Sequence, residues 1–114
     1  MATNAAKIIA IAIFLLLIQG CKITQVVPAN GAIVSRTGDH NCAAGQTCVI
    51  DIPGTIFADT FTAAPDPGYR FTGWKKQSGN LCGGNKTPCA LENIPANYTV
   101  LEINSFLEPI FEKI

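Results

Sequence analysis

After Cys21 a proline or a glycine recurs every several residues, from Pro28, Gly31 and Gly38 through Pro65, Pro67, Gly68 and Gly73 to Gly83, Gly84 and Pro88. A glycine costs a helix interior about 1 kcal/mol and a proline about 3 kcal/mol, so this punctuation leaves little room for helices. No apolar pattern at helical spacing runs far between the breaks. What lies between them is short runs rich in β-branched and aromatic residues, the pattern of an all-β domain. These runs predict strands over Lys22–Val27, Ala32–Arg36, Thr47–Ile52, Asp59–Ala64, Arg70–Lys75 and Tyr98–Ser105. Pro28-Ala29-Asn30-Gly31 is expected to close a hairpin, because Asn-Gly accepts positive φ readily. Pro65-Asp66-Pro67-Gly68 supplies a second reversal. The last stretch, Leu101 to Ile114, ends in Leu107-Glu108-Pro109-Ile110-Phe111, apolar enough to pack but broken by proline, and reads as a final strand running into a C-terminal tail that lies over the sheet.

The chain has five cysteines, and four of them fall into two close pairs, Cys42 with Cys48 and Cys82 with Cys89. Small exported domains have little core and commonly add disulfides to compensate. Local pairing closes two short loops worth roughly 2 kcal/mol each, whereas crossed pairing closes longer loops worth up to roughly 4 kcal/mol, so loop entropy alone does not choose. The connectors Ala43-Ala44-Gly45-Gln46 and Gly83-Gly84-Asn85-Lys86 are turn-rich and favour the local pairs. Five and six intervening residues are longer than the two to four typical of zinc knuckles, which argues against a metal site. No cofactor is implied.

The fifth cysteine belongs to a different part of the chain. Residues 1–20 carry one lysine, Lys7, then an unbroken apolar run from Ile8 to Ile18, then Gln19-Gly20 before Cys21. That is the layout of a secretory signal peptide. The run is well short of the roughly 20 residues a membrane-crossing helix requires. Leu17-Ile18-Gln19-Gly20-Cys21 resembles the lipobox of bacterial lipoproteins, with Gln19 where a small or aliphatic residue is usual. The resemblance implies cleavage before Cys21 and lipidation of its thiol, which also resolves the odd cysteine count. The domain division expected is a lipoprotein signal peptide over 1–20 and a single β domain over 21–114. Lys22 in place of an aspartate after the cysteine favours the outer membrane, by resemblance to lipoproteins generally. Two or three acyl chains hold a protein firmly, at about 0.8 kcal/mol per buried methylene, so the membrane is the first partner expected.

A second resemblance rests on Phe61-Thr62-Ala63-Ala64-Pro65-Asp66-Pro67-Gly68-Tyr69-Arg70-Phe71-Thr72-Gly73-Trp74. This segment resembles the signature of the bacterial repeat domain, also described as a divergent internalin B-type repeat. The flanking cysteine pairs fit too, and the resemblance covers about residues 22–106. It implies an all-β fold, a small antiparallel sheet or β-grasp-like module stapled by two disulfides and preceded by a cleaved signal helix. The family often occurs in tandem copies, whereas this chain shows one copy, and Val100 to Phe106 departs from the clean alternation of the family's closing strand. Along the motif, Tyr69 and Phe71 share one side of the strand and Gly73 leaves room beside Trp74, so the aromatics read as a mini-core.

Few groups suit catalysis. His40 is the only histidine, and although Asp39 precedes it, adjacent residues on a strand point to opposite faces. We read His40 as an exposed loop residue beside the first disulfide. Ser35, Ser78 and Ser105 have no histidine at motif spacing, and no phosphate loop or calcium loop can be written. Losing Lys7 leaves seven basic residues against eight acidic ones, without the basic excess of a nucleic-acid binder. One surface constellation remains as a candidate binding face: Arg70, Lys75 and Lys76 near Trp74, where cations beside an aromatic could hold an envelope polymer or a protein partner. The sequence thus points to a lipid-anchored envelope lipoprotein acting as a binding or structural module. The alternative from a different class is a small periplasmic inhibitor or immunity-like protein that blocks an enzyme.

Overall fold

The computed structural model describes residues 22–52, 57–94 and 104–114, so the leader expected over residues 1–20 and Cys21 lie outside it. Among the described residues eight strands form: β1 (Lys22–Val26), β2 (Gly31–Ser35), β3 (Thr47–Asp51), β4 (Phe57–Pro65), β5 (Tyr69–Trp74), β6 (Cys89–Ile94), β7 (Asn104–Leu107) and β8 (Pro109–Lys113). Among the described residues there is no helix. The domain is all-β, as the punctuation requires. The first five strands lie close to the runs read from sequence. Of the run Tyr98–Ser105, residues 98–103 lie outside the described residues, and β7 begins at its end.

The strands build three small sheets, in the orders β3-β1-β7, β2-β4-β6 and β5-β8. All pairs are antiparallel except β1 with β7. The hairpin expected at Pro28–Gly31 is therefore not there. β1 has β3 on one edge and β7 on the other, so the turn passes the chain to a second sheet, where β2 pairs with β4. Nor does Asn30-Gly31 use positive φ. Gly31 serves a close approach instead: a Cβ there would fall 2.5 Å from the Phe111 ring. The second turn is as expected, with the Tyr69 amide donating to the Asp66 carbonyl and Gly68 at φ +87°.

The C-terminal segment read as a strand running into a tail is two strands, the part read as tail forming β8. β8 pairs with β5, Arg70 facing Glu112 and Trp74 facing Pro109. Proline is tolerated because it occupies the first strand position, and the neighbouring Glu108 carbonyl still accepts from the Lys75 amide.

Alternation puts Ile23 of β1, Ile33 of β2, Phe57 and Phe61 of β4, Leu91 of β6 and Leu107 of β7 into one core with Trp74 and Leu81. Both disulfides are local in sequence, Cys42–Cys48 and Cys82–Cys89, but the first connects separate parts of the structure. Cys42 forms a backbone bridge with Ile33 of β2, while Cys48 sits in β3, so the first bond joins two sheets. The second ties the loop before β6 to its first residue. A little core is thereby pinned where sheets would otherwise separate.

Candidate functional site

Among the described residues four inward strand positions are polar, and three of them, all but Ser105 of β7, gather at one place. Gln25 in β1 and Asp59 in β4 are 0% exposed and Ser35 in β2 is 4% exposed, each at a position where alternation would place an apolar residue. They surround the loop that follows β2. The Thr37 hydroxyl donates to Asp59 Oδ2 at 2.7 Å, and the Thr37 and Thr60 amides donate to Oδ1 at 3.3 and 2.8 Å. His40 Nδ1 lies 2.7 Å from Oδ2. An ionised carboxylate can only accept, so Nδ1 carries the hydrogen in this pair. The ring leans on Phe57 and Phe61, at centroid distances of 5.4 and 6.4 Å.

The loop is fixed from its other side as well. The Ser35 amide donates to Asn41 Oδ1 at 2.8 Å, the His40 amide to Ser35 Oγ at 3.0 Å, and Gln25 Nε2 to the His40 carbonyl at 2.9 Å. Burial would raise the pKa of Asp59, but the hydrogen bonds from His40, Thr37 and the two amides outweigh it and hold it at about 2. On the outer side of the same strands Arg36 forks onto Glu92, which also accepts from the Thr60 hydroxyl at 2.7 Å. The Thr60 bond first, then Arg36, lowers the Glu92 pKa against desolvation.

This corrects the reading of His40. It is half-buried and its carboxylate partner is Asp59, not the adjacent Asp39. The arrangement orients an imidazole against a carboxylate, yet among the described residues no hydroxyl bonds to that ring: the Ser35 hydroxyl faces Asn41 and the His40 amide, and Thr37 donates to Asp59. What it does chemically is clamp the loop from Arg36 to Cys42 onto β4. The sequence held one signal for it. Asp59 lies between Phe57 and Phe61 at strand spacing, and a carboxylate on an apolar face demands a charged or hydrogen-bonding partner.

The constellation around Trp74 is arranged differently from the sequence expectation. Trp74 is 1% exposed and its indole donates to the Thr87 carbonyl at 2.9 Å. Phe71 packs edge-on against it at 5.2 Å and Phe111 stands 6.2 Å from Phe71. The aromatics are a small core, as the motif suggested, and the indole face is not open to a ligand. Arg70 lies 3.6 Å from Glu112 and Lys75 lies 3.8 Å from Glu108, both across the β5–β8 pair, while Lys76 is exposed beside Gly83. Gly73, at φ +140°, makes room for the Asn85 carbonyl, 3.2 Å from where its Cβ would be. The register shift between Phe71 and Gly73 bends β5 there, which turns the Trp74 backbone toward Gly84 and Asn85.

Both clusters are scaffolding: a disulfide-stapled all-β module whose polar centre holds a loop and whose aromatic centre holds a strand pair. The comparison with protein families agrees with that class. Residues 23–102 match the model of the divergent InlB B-repeat domain, and the chain belongs to that family. The family is typically one of non-catalytic structural or binding modules. No curated protein and no solved structure matches the chain. Among the described residues no group of three or more histidine, cysteine or acidic side chains could hold a metal.

Proposed function

We propose that this protein is a lipid-anchored lipoprotein of the bacterial cell envelope, held in the outer membrane through Cys21 and acting as a non-catalytic binding or structural module. The observation that carries this reading is the fate of the cysteines. Four pair with one another inside the domain, and the fifth stands at the end of a signal-like leader, one residue before β1. A thiol at that position, following Leu17-Ile18-Gln19-Gly20, has the chemistry of an acylation site rather than of a third bridge. Family membership supports the rest, because a repeat module of this kind supplies a surface rather than a reaction. The partner at that surface is an envelope polymer or another envelope protein, and nucleic acid does not fit the charge balance.

Fractionation of cells tests the reading. Wild-type protein is expected to sediment with membranes and resist high salt, whereas Cys21→Ser is expected in the soluble fraction or retained with its leader uncleaved. Release of the wild type by salt or buffer alone would overturn the anchor and move the soluble inhibitor to the front.

A further inference from the structure

The outward face of the β3-β1-β7 sheet breaks the usual rule that a solvent-facing sheet surface is polar. Its first row is polar, with Lys22 paired to Asp51 and to Asn104. Its second row is Val49–Thr24–Phe106, in register across all three strands. Val49 is 57% exposed and Phe106 37% exposed, so the row presents two large apolar side chains to the outside. That row is also near the anchor. β1 starts at Lys22, directly after Cys21, so no linker separates a lipidated residue from the central strand of the sheet. At about 3.3 Å per residue, Thr24 lies within roughly 10 Å of Cys21. The polar boundary on each side of a bilayer is itself roughly 5–8 Å deep.

From this we infer that the outward face of the β3-β1-β7 sheet is a membrane-contacting surface, with Val49 and Phe106 seated in the headgroup layer of the bilayer that holds Cys21. The inference rests on the lipid-anchor reading. A protein on a long tether samples every orientation, whereas an anchor fused to a rigid strand confines the sheet to the membrane surface, where burial of an apolar row is favourable. The other two sheets, which share a core with the inward face of this one, are thereby turned away from the bilayer. Ile114 goes with them through its bond to Gly68.

The test uses full-length protein extracted with its lipid and reconstituted into phosphatidylcholine vesicles brominated near the headgroup end of the acyl chains. Phe106→Trp and Val49→Trp are the two reporters on the face, and Ile114→Trp, 81% exposed in the wild type, is the control. The wild type, which has Trp74 alone, sets the background. Each face reporter is expected to lose about half of its emission, as a ring held in the roughly 5–10 Å boundary layer would, while the control is unchanged. Equal quenching of all three, or none at the face in protein whose intact mass shows acyl groups, would overturn the inference and leave the anchor standing. A mass without acyl groups would overturn both.

Discussion

The polar centre at Asp59 and the aromatic centre at Trp74 are both buried, yet they stabilise by different physics. Around Asp59 four hydrogen bonds converge on one carboxylate, and each is strongest while that carboxylate is ionised. Around Trp74 the contribution is apolar area, edge-on contact with Phe71 and one indole bond to Thr87, none of which titrates. One region fixes a loop and answers to acid; the other fixes the β5–β8 pair and does not. The domain thus divides its stability between a pH-sensitive clamp and a pH-insensitive core, with a disulfide near each.

The largest effect is expected from Trp74→Ala, which should cost about 3–5 kcal/mol in urea unfolding at neutral pH, the range for emptying a large buried aromatic site. Next comes Asp59→Ala, at about 2–3 kcal/mol, because the His40 ring and the Thr37 and Thr60 donors lose their acceptor. The two centres separate sharply in acid. The Asp59 pKa is lowered from 3.8 to about 2 on folding, so its stabilisation is complete above the unfolded value and is lost as pH falls through about 4 toward 2. The loss from this group should be about 2 kcal/mol in wild type and should persist in a Trp74→Phe background. In Asp59→Asn that contribution should disappear, leaving a shallower acid slope from Glu92 and the remaining carboxylates. A slope unchanged by Asp59→Asn would mean that the clamp is not the acid-sensitive element.

Gly31→Ala should fall below these, at about 1–3 kcal/mol, because the new methyl group would displace the Phe111 ring from its seat. A Gly31→Ala protein as stable as wild type would show that β8 repacks freely. The smallest effect is expected at the surface pairs. Arg70→Ala and Lys75→Ala should each change stability by less than about 0.5 kcal/mol, since both partners are substantially exposed to solvent and screened. A larger loss at either would place the β5–β8 cross-strand charges inside the aromatic centre's stability rather than outside it.

Much of this was readable in the sequence because strand formation is local. Alternation and proline or glycine breaks place β1 to β5 near their observed bounds, and the motif from Phe61 to Trp74 gives both the turn and the aromatic packing. Pairing is not local, which is why Asn30-Gly31 misleads: the same dipeptide that closes hairpins also gives space for a ring arriving from residue 111. β6 has a single β-branched residue, Ile94 at its end, and Pro109 reads as a break although it only begins β8. The clamp was hidden for a related reason. A strand read as starting at Asp59 leaves out Phe57, and with it the flanking aromatics that reveal Asp59 as an inward carboxylate. His40 lies nineteen positions earlier, so only the tertiary structure brings the two together. Trp74 was legible as core, but the cations beside it could not be assigned to Glu108 and Glu112 without the β5–β8 register.

The anchor is tested most directly by the intact mass of protein extracted from the membrane fraction, measured before and after reduction. Loss of residues 1–20, added acyl groups on Cys21 and a gain of four hydrogens on reduction of the two disulfides is the expected result. An unmodified Cys21 would contradict it and would make the domain a free periplasmic or secreted factor.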